Sequence, residues 1–288
     1  MAYNPEFLRE GSSIRDYYNP PKIVMGGVDA ISIDKALAIY QGLDAPVFKT
    51  SIKIAETVKY ADNIFHALKI TFANEMGIFA KSLGVDSHEV MEIFTQDTKL
   101  NISPAYLKPG FAFGGSCLPK DIRAFLYKSR TSDLDLPMIS SLLRSNEQQI
   151  QTALNIVMKT EGRKIGVFGL SFKPGTDDLR ESPMVTLVEL LIGKGYDVKI
   201  HDQYVSMAQV MGANKEYIER VIPHVSRLLS NSVQEIMEHG DILVFGHNSD
   251  IYRVLCERIK PEQTIIDLAR LWVDYRNLRV SYHGIAWG

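Results

Sequence analysis

The stretch Lys164-Ile165-Gly166-Val167-Phe168-Gly169 has the composition of a short buried strand that is closed by a glycine. Further strand-like stretches follow at 197–201, 241–245, 264–267 and 279–282, with helical stretches between most of them. This alternation predicts an α/β domain built on a doubly wound parallel sheet. Ligands bind outside the carboxyl ends of the strands in such a sheet, and here those ends carry polar residues, at 169–173, 201–202, 246–248 and 267–270.

The region before this sheet, residues 29–160, is expected to be essentially all helical, with helices at 30–43, 51–83, 87–96, 118–130 and 138–160. Only a short segment at 46–50 reads as extended, and 104–116 reads as a loop. The segment 51–83, with Gly84 as its C-cap, would span roughly 50 Å, and so long a helix usually joins domains or packs against a partner subunit. The first twenty residues lack periodicity, which predicts a loop that leads into a strand at 22–25.

Composition indicates a folded protein of about two domains, because 288 residues exceed one domain of roughly 100 to 200 residues. The net charge of −2 predicts no global attraction to nucleic acid or to an anionic membrane. No apolar run is long enough to span a membrane, and the first residues do not resemble a signal peptide, so we expect a cytoplasmic protein. Cys117 and Cys256 show neither a disulfide framework nor metal-ligand spacing, so we expect no metal site.

The strongest local motif is GFAFGGSCLPKD, from Gly110 to Asp121. Its paired glycines allow backbone to approach a ligand closely, Ser116 is a plausible N-cap, and Pro119 suits a first helical turn. Cys117 would then stand at a helix N-terminus, where the helix dipole and Lys120 favour thiolate over thiol. The motif therefore offers a candidate nucleophile. The alternative is that Cys117 is a small buried hydrophobic residue, as most cysteines are.

A second candidate group lies on the long helix, where polar residues at about 100° per residue fall within one stripe: Lys59, Asn63, His66 and Asn74. Lys59 could supply a fixed positive charge for a developing oxyanion. The alternative is an ordinary solvated helix face.

The connection after the strand at 164–169 is a third candidate, because Lys173 and Arg180 suit recognition of phosphate or carboxylate. Alternatively, the two cations pair with their neighbours Asp177, Asp178 and Glu181. The Gly-x-Gly-x-x-Gly fingerprint of a dinucleotide site is absent from the sequence.

Three segments together resemble the nucleotide-sugar 6-dehydrogenase family, whose members include UDP-glucose and GDP-mannose dehydrogenases: NPEFLREG at 4–11, GFAFGGSCLPKD at 110–121 and GLSFKPGTDDLRESP at 169–183. The GDP-mannose branch is the more similar one, through KLNIS at 99–103, YLKPGFAF at 106–113 and GANKEYI at 212–218. Members of this family begin with a Rossmann domain that contains the glycine fingerprint. We therefore expect residues 1–28 to be the remnant of an NAD-binding domain, 29–160 a helical dimerisation and catalytic domain, and 161–288 a Rossmann-like nucleotide-sugar-binding domain.

The resemblance implies a four-electron, NAD-dependent oxidation of a sugar C6 alcohol to a carboxylate. It makes Cys117 the nucleophile that forms a thiohemiacetal and then a thioester. Lys59 and Asn63 correspond to the pair that stabilises the oxyanion, and Asp121 and Glu6 to carboxylates that position water. The remaining matches are substrate contacts, at Glu10, His66, Asn74, Ala105, Tyr106, Leu107, Lys108, Pro109, Phe111, Gly114, Lys173 and Arg270, and NAD contacts, at Lys120 and Arg180.

A homodimer formed through the long helix is also implied by the resemblance. Two other functions stay open at this point: a UDP-sugar 6-dehydrogenase, and a non-catalytic nucleotide-sugar-binding or dimerisation module. The second would follow if little of this chain positions the nicotinamide, and we expect negligible hydride transfer by the 288 residues alone.

Overall fold

The computed structural model describes residues 1–8, 13–85, 87–103, 109–205 and 228–287, with backbone alone at 63, 64, 66, 67, 70, 71, 73, 74, 78, 81 and 87. The chain forms two compact units, Met1–Ile78 and Phe79–Gly288, which are described in turn. Among the described residues, no helix is both long enough and apolar enough to cross a membrane.

The first unit contains a three-stranded sheet of β1 (Ala2–Tyr3), β2 (Ile23–Gly27) and β3 (Val47–Thr50). β2 is the central strand, antiparallel to β1 and parallel to β3. The expectation that the first twenty residues are a loop is wrong, because β1 and a short helix, α1 (Ser13–Tyr18), lie there. Both depend on distant partners that a local pattern does not show: β1 pairs with β2, and Tyr17 of α1 packs its ring 5.5 Å from that of Tyr40.

Both helices predicted for this part of the chain are present, although the first ends before the predicted residue 43. α2 (Ala30–Leu37) begins at Asp29, whose carboxylate accepts the Ser32 N–H, and a 3₁₀ turn, Ala38–Tyr40, extends it. α3 (Ile52–Ser82) confirms the long helix. Gly84 has a φ of +71°, and Val85 N–H donates to the Ala80 carbonyl, so the glycine closes the helix in the left-handed conformation that side chains disfavour.

The second unit confirms the predicted doubly wound parallel sheet. Its strands are β4 (Lys164–Phe168), β5 (Asp197–His201), β6 (Ile242–Phe245), β7 (Thr264–Asp267) and β8 (Ser281–Gly284), in the order β5-β4-β6-β7-β8. Every neighbouring pair is parallel. The interior strands β6 and β7 are buried at every position, as expected for a parallel sheet that is covered on both faces.

Helices of the second unit are α4 (Ser87–Thr95), α5 (Leu118–Thr131), α6 (Pro137–Met158), α7 (Pro183–Gly193), α8 (Val233–His239) and α9 (Asp250–Arg253), with 3₁₀ turns at Val254–Arg258 and Tyr275–Asn277. α6 and α7 bury apolar side chains in the same core as β4, including Leu154, Leu187 and Val167. α6 therefore connects the helical region before the sheet to the sheet itself.

Candidate active site

Cys117 lies at the N-terminus of α5, as the sequence predicts, and its side chain is exposed. The alternative of a small buried hydrophobic residue is therefore wrong. The prediction that Ser116 is the N-cap is also wrong: Cys117 itself occupies that position, its carbonyl accepts the Asp121 N–H at 2.9 Å, and no side chain caps the helix. Pro119 lies in the first turn, where its missing N–H costs no helical hydrogen bond.

The loop that leads to Cys117 is fastened to α6 by two amide side chains. Asn146 accepts the Phe113 N–H through Oδ1 and donates Nδ2 to the Phe113 carbonyl, each at 2.8 Å. Gln149 donates Nε2 to the Gly110 carbonyl at 2.7 Å. These bonds satisfy backbone groups that have no strand or helix partner, so they fix the path of the loop.

The two glycines before the cysteine serve packing of the loop. A Cβ on Gly114 would lie 2.3 Å from the Glu181 carbonyl oxygen, and one on Gly115, whose φ is +85°, would lie 2.9 Å from the Phe172 ring. The GGSC segment therefore lies directly against the 172–183 connection. The sequence interpretation assigned the glycine pair to close approach of a ligand, and in this structure the close approach is to backbone and an aromatic ring.

The 172–183 connection presents its cations next to the cysteine loop. Arg180 donates Nε and Nη2 to the two carboxylate oxygens of Asp178, at 2.9 and 2.8 Å, which confirms the pairing alternative for this arginine. Asp178 raises the pKa of Arg180 through this hydrogen bond and its charge, and Cys117 contributes a smaller electrostatic effect in the same direction. Glu181 pairs with Arg123 of α5 at 2.9 Å, and Lys173 is exposed, 5.5 Å from the Phe172 ring.

A buried polar cluster fixes the start of this connection at the carboxyl ends of the strands. The Asp202 carboxylate accepts the backbone N–H groups of Leu170 and Ser171, at 2.8 and 3.1 Å. His247 Nε2 lies 2.8 Å from the Ser171 carbonyl, and Ser182 donates its hydroxyl to the Leu170 carbonyl at 2.7 Å. The polar residues at these strand ends therefore hold loop backbone in place.

A separate cavity of about 490 Å³ lies in the second unit, beyond the ends of β6 and β7. Its lining includes Pro109 and Arg270, two of the predicted substrate contacts, together with Asn248 and Trp287. This is the place at which a doubly wound sheet binds its ligand.

In the first unit, Glu6 and Lys59 form an ion pair. The Lys59 ammonium lies 3.0 Å from Glu6 Oε1 and 2.5 Å from the Glu6 carbonyl oxygen, with its side chain 24% exposed. The Leu8 N–H and then Lys59 lower the pKa of Glu6. Two residues that the sequence assigned to catalysis, 53 positions apart, are therefore in direct contact.

The structure brings the predicted residues into three groups, the first of which is the ion pair of Glu6 and Lys59. The other two lie in the second unit. Cys117, Gly114 and Arg180 lie on adjoining loops, with Lys120 and Asp121 in the first turn of α5, 3.4 Å apart. Pro109 and Arg270 share the cavity, while Phe111 packs against the core of the second unit. Glu10, Ala105, Tyr106, Leu107, Lys108 and the GANKEYI segment lie outside the described residues, as do the side chains of Asn63, His66 and Asn74.

The residues that hold this arrangement were not identified from the sequence. Asn146 and Gln149 look like ordinary polar positions of an amphipathic helix, and only their spacing of three, on the side of α6 that faces the loop, sets them apart. Trp287 lies in a segment without periodicity.

Comparison with known proteins places these elements in one family. Its NAD binding domain model matches residues 1–44, its central domain model 53–148 and its UDP binding domain model 166–277. The chain belongs to the UDP-glucose/GDP-mannose dehydrogenase family. The family resemblance seen in the sequence is thereby confirmed.

Individual relatives agree with this assignment. GDP-mannose 6-dehydrogenase of Pseudomonas putida is 48% identical over 287 residues, which cover 100% of this chain and 66% of that protein. The crystal structure of a ternary complex of GDP-mannose dehydrogenase from Pseudomonas aeruginosa has a TM-score of 0.94 and 47% identity, over 99% of this chain and 65% of that one. A UDP-glucose dehydrogenase from Pyrobaculum islandicum has a TM-score of 0.53 and 33% identity, over 100% of this chain and 63% of that one. The chain thus spans about two thirds of the length of these relatives.

Proposed function

We propose that this chain contains the catalytic thiol and the nucleotide-sugar-binding part of an NAD-dependent GDP-mannose 6-dehydrogenase. The observation on which this rests is the similarity to the GDP-mannose enzymes, which runs along the whole chain and includes every segment with a predicted site residue. The greater fold similarity to a GDP-mannose dehydrogenase than to a UDP-glucose dehydrogenase favours the GDP-sugar.

Cys117 is the nucleophile in this proposal. When bound, NAD supplies the chemistry of accepting a hydride from C6, twice for each sugar. The Cys117 thiolate attacks the C6 aldehyde, a C–S bond forms, and the oxyanion takes a proton to give a thiohemiacetal. Loss of the second hydride and of the hydroxyl proton leaves a thioester. Water then attacks the carbonyl carbon, the C–S bond breaks, sulfur leaves as thiolate, and the product is the carboxylate.

The position of Cys117 supports this role. The sulfur is exposed, at a helix N-terminus that favours a negative charge. Asn146 holds the preceding loop on α6, and the close packing of this loop against the 172–183 connection restricts its movement. A nucleophile held in one orientation reacts faster than a mobile one, because less freedom is lost in reaching the transition state.

The other predicted residues take supporting roles in the proposal. Lys59 and Asn63 stabilise the oxyanion, and Glu6 and Asp121 position or activate the hydrolytic water. The ion pair with Glu6 supports the assignment of Lys59, since it holds the ammonium group in a defined place. The cavity that contains Pro109 and Arg270 supports binding of the nucleotide part of the substrate.

NAD itself would be held in part by Lys120 and Arg180. Their groups fit an anionic pyrophosphate, because the Lys120 side chain is 67% exposed and the Arg180 guanidinium keeps donors beyond the two that Asp178 accepts. Residues 1–44, which match the family's NAD binding domain, would supply the rest of this chain's contribution.

We also propose a homodimer formed through α3. Large apolar side chains on this helix are exposed, with Ile54 at 55%, Tyr60 at 68% and Leu68 at 45%, and burial in a partner would remove them from water. Light scattering of the purified chain would give twice the monomer mass of 32.4 kDa, and a monomer at micromolar concentration would contradict the proposal. A cytoplasmic location remains a prediction.

The 288 residues by themselves are proposed to be inactive in hydride transfer. The sequence contains no Gly-x-Gly-x-x-Gly fingerprint, so little of it positions the nicotinamide against C6. NADH formation from GDP-mannose and NAD, followed at 340 nm, should not exceed the blank. Turnover that disappears in Cys117→Ser would overturn the proposed inactivity and would support Cys117 as the nucleophile.

Two alternatives are separated by binding. A UDP-sugar 6-dehydrogenase, which the UDP binding domain match favours, would bind UDP-glucose more tightly than GDP-mannose. A non-catalytic binding module would also bind a nucleotide sugar, but the bound sugar would not change the rate at which Cys117 is alkylated.

A further inference from the structure

Arg270 and Trp287 form one wall of the 490 Å³ cavity, although they come from different segments. The Arg270 guanidinium carbon lies 5.5 Å from the centre of the Trp287 ring, within cation–π distance. A planar aromatic side chain beside a permanent cation suits a nucleoside diphosphate, whose base stacks on aromatic rings and whose phosphates are anionic.

One buried carboxylate, that of Asp267, sets the backbone of Arg270. Asp267 is fully buried, and its two oxygens accept the N–H groups on either side of this arginine, from Ala269 at 2.9 Å and from Leu271 at 2.8 Å. Arg270 adopts a φ of +51°, an uncommon conformation for a residue with a side chain. The carboxylate therefore holds a strained turn whose apex is the cavity arginine.

The same carboxylate is linked to Trp287 through Tyr282. Tyr282 donates its hydroxyl to Asp267 Oδ2 at 2.7 Å, and Trp287 donates its indole N–H to the Tyr282 oxygen at 2.8 Å. Burial raises the pKa of Tyr282, so the hydroxyl stays protonated and keeps donating to the carboxylate. Arg270 and Trp287, the two residues of the cavity wall, are therefore both linked by hydrogen bonds to the buried Asp267 carboxylate: Arg270 through its backbone neighbours, and Trp287 through Tyr282.

We propose that Asp267 and Tyr282 are positioning residues for this wall, which receives the nucleoside diphosphate part of the substrate. The inference rests on the proposed function and adds two residues to it. Neither residue needs to touch the ligand: Asp267 acts through Arg270, and Tyr282 acts through Trp287.

Tyr282→Phe tests the proposal most cleanly, because it removes one hydroxyl and keeps the ring that stacks on Tyr275 at 4.8 Å. Tyr275→Phe is the matched control, since its hydroxyl is outside the chain of hydrogen bonds that ends at Trp287. Calorimetric titration of the 288-residue chain with GDP should show affinity about tenfold weaker for Tyr282→Phe and unchanged within twofold for Tyr275→Phe.

A double-mutant cycle separates positioning from general stabilisation of the fold. In a Trp287→Phe background, adding Tyr282→Phe should change GDP affinity less than twofold, because the residue through which it acts has gone. Equal losses in both backgrounds would overturn the proposal, as would a Trp287→Phe chain with wild-type GDP affinity. The second result can be read even if Tyr282→Phe fails to fold.

Nucleotide titration of the wild-type protein distinguishes a failure of this positioning proposal from a failure of the proposed function. Wild-type binding of GDP with no loss in Tyr282→Phe would refute the positioning role and leave the proposed function intact. Tighter wild-type binding of UDP than of GDP would overturn the GDP assignment. The double-mutant cycle would then be measured with UDP as the ligand. A wild-type chain that binds neither nucleotide would contradict both.

Discussion

The side-chain amide of Asn146 is hydrogen-bonded to both the N–H and the carbonyl of Phe113, each at 2.8 Å, across 33 residues of sequence. Through this contact α6, which is packed into the core of the second unit, determines where the loop before Cys117 lies. The orientation of the candidate nucleophile therefore depends on a residue that no catalytic motif contains.

Replacing Asn146 by alanine should release this loop. Two backbone groups of Phe113 lose their partner, so we expect the free energy of unfolding to fall by about 1–3 kcal/mol. Hydrogen exchange at residues 110–117 should accelerate. The exposed neighbour Gln148 is the control, and its change to alanine should alter stability by less than about 0.5 kcal/mol. Unchanged exchange in Asn146→Ala would show that the clamp does not hold the loop.

Gly114→Ala should destabilise the second unit, because the new methyl group meets the Glu181 carbonyl at 2.3 Å and Pro183 at 2.6 Å. Since backbone and a proline ring cannot move aside freely, we expect a loss of about 1–3 kcal/mol in chemical denaturation. Gly193→Ala is the matched control, since a Cβ there meets nothing within 4 Å, and its stability should stay the same or rise by less than about 1 kcal/mol. Equal stability of the two variants would contradict the packing seen at Gly114.

Cys117 should react with iodoacetamide well before Cys256. Its side chain is exposed at a helix N-terminus, whereas Cys256 is half-buried and packs against an apolar core. Peptide mass spectrometry would follow each site, with Cys117→Ser as the control that removes the fast phase. GDP-mannose should slow alkylation of Cys117 and leave Cys256 unaffected. A faster Cys256, or a Cys117 rate that ignores the nucleotide sugar, would argue against the proposed role.

The ion pair of Glu6 and Lys59 predicts a pH dependence of stability. Because the pKa of Glu6 is lowered from 4.5 in the folded chain, its contribution is present above pH 4.5 and is lost as the pH falls through the folded value. Both groups are partly exposed, so Glu6→Gln should cost less than about 1 kcal/mol at pH 7. Urea unfolding should show that this difference shrinks progressively as the pH falls below 4.5. A difference that persists or grows in acid would contradict the pairing.

The sequence predicts most of the elements because each has a strong local signal. The strand-like stretches that alternate with helical ones predict β4 to β7, and the long periodic segment predicts α3. Elements at the N-terminus were missed because β1 has two residues, and its pairing with Gly26 and Gly27 is not visible locally.

In the candidate site, too, residues with a local sequence signal were predicted and those without one were missed. Motif chemistry predicted Cys117 at a helix N-terminus and the charged residues around it. Two of the groups that hold the loops have partners far away in sequence: Asn146 binds the Phe113 backbone 33 residues away, and Tyr282 donates to the Asp267 side chain 15 residues away. Their side chains resemble ordinary surface or core positions until the fold brings these partners close. The Ser116 prediction failed because the helix begins one residue later than a serine cap requires.

Calorimetric titration of the 288-residue chain with GDP-mannose and with UDP-glucose tests the central claim most directly. The account predicts saturable binding of GDP-mannose, at least about tenfold tighter than that of UDP-glucose, a difference of about 1.4 kcal/mol. Tighter binding of UDP-glucose, or no binding of either nucleotide sugar, would contradict it.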